Sequence, residues 1–167
     1  MLVINADKFR RTLGRFATGV IVITTIDYDG KLHGMTANSF TSVSLSPPLI
    51  LVCVDVQNQT HDFIKDQRKF GVNILSSKQR ELSSYFAKTI PQPPEPDIVE
   101  SELSKNGIPC LQGSLGFLGC SLVAAHLQGD HTIYVGNVEE IITEDNPDRP
   151  LIFYESNFRE LNSTENQ

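Results

Sequence analysis

The spacing of apolar residues changes character several times along the chain, and each change marks an expected element. Over residues 5–16, Phe9, Leu13 and Phe16 recur at i, i+4 and i+7 with Arg10, Arg11 and Arg15 off that face, which predicts a short helix with an inward stripe. Val20-Ile-Val-Ile-Thr-Thr-Ile26 is β-branched throughout, and Asp27-Tyr-Asp-Gly30 supplies a hairpin turn into a second strand over 33–40. Pro47-Pro48 stops pairing, and Leu49-Ile-Leu-Val-Cys-Val54 restarts it as a strand expected to be buried on both faces. Thr60 is the expected N-cap of a helix over 61–68, with Phe63, Ile64 and Gln67 on one side. Residues 70–75 form another strand. Ser76 and Gln79 then have the spacing of a capping box for a helix whose Leu82, Tyr85 and Phe86 face inward.

Residues 91–97, Pro-Gln-Pro-Pro-Glu-Pro-Asp, hold four of the nine prolines and are expected to form an exposed excursion. Two long strands, 115–127 and 132–143, are expected to flank the turn Gln128-Gly-Asp-His131, and 151–154 closes the pattern. Six or seven strands at hairpin spacing, with three short helices and no βαβ alternation, predict a fold dominated by β-structure, an antiparallel Greek-key barrel.

The length of 167 residues fits one domain over 1–167, with 162–167 as a loose tail. A net charge of -6 argues against broad nucleic-acid binding, because such a surface repels phosphate backbones. The apolar start breaks at Asp7 and Lys8 before a signal-peptide core can form, and no run reaches membrane-span length. Cys53, Cys110 and Cys120 form no CxxC pair and leave an odd thiol over, which points to a reducing cytoplasm.

Chemistry concentrates in Met35-Thr-Ala-Asn-Ser-Phe-Thr-Ser-Val-Ser44, where five hydroxyls and one amide occur in ten residues without a charge. On a strand, alternate members share a face, so this surface offers neutral donors beside small side chains, which suits the edge of a flat heteroaromatic ring. The same residues also suit a hydroxyl-rich edge strand facing water. The helix start at Thr60 adds free N–H groups that favour an anion, beside its plain role as a cap. No Gly-x-Gly-x-x-Gly occurs, and Gly14-Arg-Phe-Ala-Thr-Gly19 lacks the Lys-Ser/Thr of a P-loop, so it reads as a helix stop and turn. His33, His61 and His131 read first as surface histidines, and no spacing supplies a metal set. Cys53 reads as core, and no thiol has a base partner that would make it a nucleophile.

In order along the chain stand Gly14-Arg-Phe-Ala-Thr-Gly-Val-Ile-Val-Ile-Thr-Thr25, Gly34-Met-Thr-Ala-Asn-Ser-Phe-Thr-Ser-Val-Ser-Leu-Ser-Pro-Pro48, Phe70-Gly-Val-Asn-Ile-Leu75, Phe86-Ala87 and Gly129-Asp-His-Thr-Ile-Tyr-Val-Gly136. This series resembles the flavin reductase family with the FMN-binding split-barrel fold, the small component of two-component flavin monooxygenases. The resemblance runs from about Phe9 to Leu161. It implies a homodimer that binds FMN or FAD near the subunit interface and takes a hydride from NADH or NADPH, with a monooxygenase partner served by diffusion of reduced flavin. It places Thr36, Ala37, Asn38 and Ser39 along the isoalloxazine ring. Ser42, Val43 and the stretch Cys53, Asp55, Asn58, Thr60 fall around the ribityl chain and phosphate, and His131 near the nicotinamide. The chain departs from the family at the proline-rich 91–97 and at Phe153-Tyr-Glu-Ser-Asn-Phe158, where relatives often carry glycines. A non-catalytic flavin-binding or electron-relay protein and an oxidase of the pyridoxamine-phosphate kind are the competing readings on the same fold.

Overall fold

The computed structural model describes residues 4–88 and 98–161; the proline-rich excursion at 91–97 and the tail at 162–167 lie outside them. Strands β2 (Ile21–Ile26), β3 (Leu32–Ala37), β4 (Phe40–Leu45), β5 (Pro48–Asp55), β6 (Lys69–Ile74), β9 (Gly116–Gln128) and β10 (His131–Thr143) form one sheet in the order β3-β2-β6-β9-β10-β5-β4. Every neighbouring pair is antiparallel. Two minor sheets pair β1 (Thr18–Gly19) with the hairpin β11 (Ile152–Tyr154) and β12 (Asn157–Arg159), and β7 (Ser101–Leu103) with β8 (Pro109–Leu111). Helices α1 (Ala6–Leu13), α2 (Gln59–Gln67) and α3 (Arg80–Phe86), with a 3-10 turn at Ser77–Gln79 leading into α3, complete the described elements.

The sheet order contains its own closure. Six antiparallel steps separate β3 from β4, so the two run in the same direction, yet only Asn38 and Ser39 lie between them. They are therefore one long strand, bent at Asn38-Ser39, whose first half pairs with β2 at one edge and whose second half pairs with β5 at the other. A single strand can belong to both edges only if the sheet curls onto itself, and the result is the expected β-barrel. The predicted second strand thus does not stop at Phe40 but continues to Leu45, and pairing resumes already at Pro48, opposite Leu45.

Inside the barrel, Ile23, Val52, Val54, Phe70 and Val72 are fully buried, while Val22 points the other way into a second cluster with Leu82, Tyr85 and Phe86. Gly136 makes room for the Phe70 ring, since a Cβ there would sit 2.7 Å from Phe70 Cζ. β5 is not buried on both faces. Ile50, Val52 and Val54 face the core while Leu51 and Cys53 are half-buried, because β5 is covered on one side only. Behind β2 the buried amide of Asn73 donates to the Val22 carbonyl at 3.1 Å and to Thr24 Oγ1 at 3.0 Å, and accepts from Leu111 N at 2.8 Å. Thr24 in turn donates to the Pro109 carbonyl at 2.6 Å, so each of these buried polar groups is matched.

Two helices depart from expectation. α1 buries none of its residues, and Phe9, Leu13 and Phe16 are 53%, 57% and 77% exposed, because among the described residues no element lies over that stripe. α2 begins two residues early, capped by Asn58, whose Oδ1 accepts from Thr60 N at 2.9 Å. Thr60 is not the cap; its side chain is fully buried. The lead-in to α3 matches its reading, with Ser76 N donating to Gln79 Oε1 at 3.0 Å.

Candidate functional site

The bend between β3 and β4 is where the chain leaves one ladder for another, so its side chains and backbone are only partly engaged. Ala37 is the last residue paired to β2, and Phe40 the first paired to β5. Ser39 anchors the bend, donating to the Cys53 carbonyl at 2.9 Å while its Oγ accepts from Cys53 N at 3.2 Å. Thr36 donates to the Ser83 carbonyl at 2.7 Å, fastening α3 against the bend. Asn38 is exposed.

A cavity of about 220 Å³ opens beside these residues. Thr36, Ala37 and Asn38 form one wall, Ser83 and Ala87 a second, and Val20 with Phe153 and Phe158 of the β11–β12 hairpin the rest. It is smaller than the roughly 300–1,000 Å³ of whole small-molecule sites, so it suits one part of a nucleotide and not all of it. Sequence reasoning missed Val20, Ser83, Phe153 and Phe158 as walls; Ala87 lies in a motif carried by the resemblance. A larger cavity, about 370 Å³, lies between β8 and the β9–β10 ends, but Glu102 and Glu144 line it and disfavour a phosphorylated guest.

The helix start and the bend lie on connected ground. His33 Nε2 and the Thr60 hydroxyl are hydrogen-bonded at 2.9 Å, joining α2 to the foot of β3. His33 is buried rather than a surface residue, and burial holds its imidazole below the usual histidine pKa, with Asp27 opposing. His61 is also engaged, with Nε2 on Thr132 Oγ1 at 3.0 Å. At the entry to α2 several N–H groups are already matched, Gln57 N by Asp55 Oδ1 at 2.8 Å and Thr60 N by Asn58. The Asp55 carboxylate there opposes an anion.

His131 opens β10 opposite Asp55, its Nδ1 hydrogen-bonded to Asp130 Oδ1 at 2.7 Å, which holds the Asp130 carboxyl below its usual range. Its side chain is 45% exposed. Along β5, Asp55 lies two residues, roughly 7 Å, beyond Cys53 and the bend. Ser42 lies the other way, paired with Ile50 before a bulge that leaves Val43 50% exposed. Ser39 and Cys53 thus meet at the bend, with His131 opposite Asp55 two residues farther along β5, whereas Ser42, opposite Ile50, sits roughly 17 Å along β5 from Asp55. Burial, helped by nearby carboxylates, pushes the Cys110 thiol up to about 11 and that of Cys120 to about 12, which disfavours their thiolate forms.

The β11–β12 turn carries the departure noted in the sequence. Glu155 and Ser156 adopt φ of 47° and 60°, the left-handed region glycine would occupy without strain. The Glu155 N–H donates to the Gly14 carbonyl at 2.8 Å, tying this turn to the end of α1.

Residues 13–162 match the family model described as a flavin reductase like domain. An NADH-dependent flavin reductase of Rhodococcus sp is 42% identical over 154 residues, covering 91% of this chain and 84% of the relative. Among solved structures, the NADH:FAD oxidoreductase of Streptomyces globisporus C-1027, in complex with NAD and FAD fragments, superposes with a TM-score of 0.88 at 31% identity, over 99% of this chain and 100% of that one. The styrene monooxygenase flavin reductase of Pseudomonas putida S12 gives 0.86 at 31% identity, over 93% and 98%. With its antiparallel split barrel, its bent strand and these relatives, the chain belongs to the flavin reductase family.

Proposed function

We propose that this protein, as one domain, is an NADH-dependent flavin reductase that releases reduced FMN or FAD to a partner monooxygenase. The observation that carries the reading is the apolar cavity set against the neutral hydroxyl-and-amide bend, in a chain 42% identical to an NADH-dependent flavin reductase. The site's chemistry fits the ring: apolar walls for its flat faces, uncharged groups for its heteroatom edge, and a buried Ser83 hydroxyl without a partner. A flavin held by these residues would supply the hydride-accepting reactivity itself. The protein's part is to stack the two rings and exclude water, so no acid–base pair is required.

Thr36, Ala37, Asn38 and Ser39 hold the ring, with Cys53 behind them. Asn58 and Thr60 act from one step back, by fixing α2 to β3, and Asp55 orders the loop that enters it. Ser42 and Val43 hold the far end of the ligand. His131, at the start of β10 opposite Asp55, meets the nicotinamide. The exposed stripe of Phe9, Leu13 and Phe16 on α1 supports a homodimer, each copy covering the apolar face of the other.

Mixing the protein with NADH or NADPH and each flavin, and following loss of nicotinamide absorbance, tests the reading. Turnover with NADH is expected, and none with either donor overturns it; tight flavin binding without turnover supports an electron-relay protein instead. His131→Ala is expected to raise the KM for NADH about fivefold and leave that for flavin within twofold, a loss of about 1 kcal/mol in nicotinamide binding.

A further inference from the structure

Ser83 stands out among the buried polar groups. It is 1% exposed, and its Oγ has no hydrogen-bond partner, although its carbonyl accepts from Thr36. A buried hydroxyl left unmatched is costly, and native structures rarely keep one without a reason. Here the residue lines the 220 Å³ cavity. Ser83 and Ala87 are one helical turn apart, so α3 presents one small-residue face to that space, while Leu82, Tyr85 and Phe86 pack away into the core. Across the cavity, Thr18 on β1 pairs with the wall residue Phe153, and its Oγ1 is likewise buried without a partner.

Resting on the flavin reading of this cavity, we infer that Ser83 is a ring-binding residue: its hydroxyl donates to a heteroatom on the polar edge of the bound isoalloxazine. The cavity supplies the space, the bend fixes the ring, and α3 delivers a hydroxyl donor that lines the cavity and that the protein itself does not use. Thr36 serves this arrangement by clamping the Ser83 backbone, which sets how far α3 stands from β3. The contact belongs to the ring and not to the ribityl phosphate, because the surrounding walls are apolar or neutral.

The inference separates from a structural role by two measurements made together on Ser83→Ala and on Ser83→Cys, which keeps the side-chain size. Flavin fluorescence titration is expected to show a five- to tenfold rise in Kd for FMN, and the same rise for riboflavin, which has no phosphate. Thermal melting without flavin is expected to hold or rise, since removal of an unmatched buried hydroxyl relieves the free protein. Unchanged Kd in both variants overturns the assignment while leaving the flavin site standing. A fall in melting temperature without flavin, with Kd unchanged, makes Ser83 a structural group held by water. A loss for FMN but not for riboflavin places the contact at the phosphate and overturns it as well. Failure of the unaltered protein to bind either flavin overturns the reading on which the inference rests.

Discussion

The polar groups behind β2 and the polar groups at the β3–β4 bend are built from similar residues and behave oppositely. Asn73, Thr24, His33 and Thr60 are buried, and each is hydrogen-bonded within the chain. Asn38, Thr41 and Ser42 are exposed on a strand that changes partners, and Ser83, which shares a cavity with Asn38, is buried yet its hydroxyl is unmatched. Hydroxyls and amides alone therefore do not mark a site. What marks it is a polar group whose hydrogen-bonding capacity the fold leaves open, beside a cavity that can take a guest.

That contrast can be broken most forcefully at Asn73. Asn73→Ala strips partners from Val22 O, Thr24 Oγ1 and Leu111 N together, and is expected to cost about 2–4 kcal/mol of stability by denaturant melt. Flavin affinity of the protein that remains folded should not move; a selective loss of flavin binding would put this network in the site. Thr60→Val should cost about 1–2 kcal/mol, because it leaves buried His33 Nε2 unpaired. The same imidazole gives a pH signature. Burial lowers the folded pKa of His33 below its ordinary 6.5, so on acidification the unfolded chain binds the proton first. Stability is full above that value and declines as pH falls through the window down to the folded pKa. Melting curves from neutral to mildly acid pH should show the decline in the unaltered protein and a shallower one in His33→Gln.

At the bend the expectation inverts. Asn38→Ala should leave the melting curve within about 0.5 kcal/mol, as for an exposed substitution, yet raise the flavin Kd about tenfold, or about 1.4 kcal/mol. Equal effects on stability and on binding would erase the distinction. The smallest effect is expected at the β11–β12 turn, where Ser156→Gly should gain up to about 1 kcal/mol by relieving a left-handed backbone, read as a rise in melting temperature.

Much of this was legible in the sequence. β-branched runs and turn dipeptides gave the main strands, since local propensity and barrel geometry agree there. The 35–44 segment was visible as an uncharged hydroxyl cluster, and the Ser76–Gln79 cap by its spacing. Three features were hidden because they depend on distant partners. The strand through Asn38 is legible only as far as Phe40, as period-two patterning cannot report that its second half takes a new neighbour. The periodicity of α1 records an apolar face but not what covers it. His33 carries no local sign of burial; α2 supplies that burial from 27 residues away in the chain, through Thr60.

The bent strand also ties ligand capture to the last step of assembly. Asn38 and Ser39 are set between two neighbouring hairpins, Ala37 opposite Ile21 and Phe40 opposite Val52, but the barrel closes around them only when β6 meets β9 and β5 meets β10, pairings distant in the chain. A partly zipped sheet has the corner but no closed barrel behind it, so flavin is expected to recognise only the sealed barrel and to hold it shut by mass action. Yellow colour retained through purification would then report topology as much as cofactor supply.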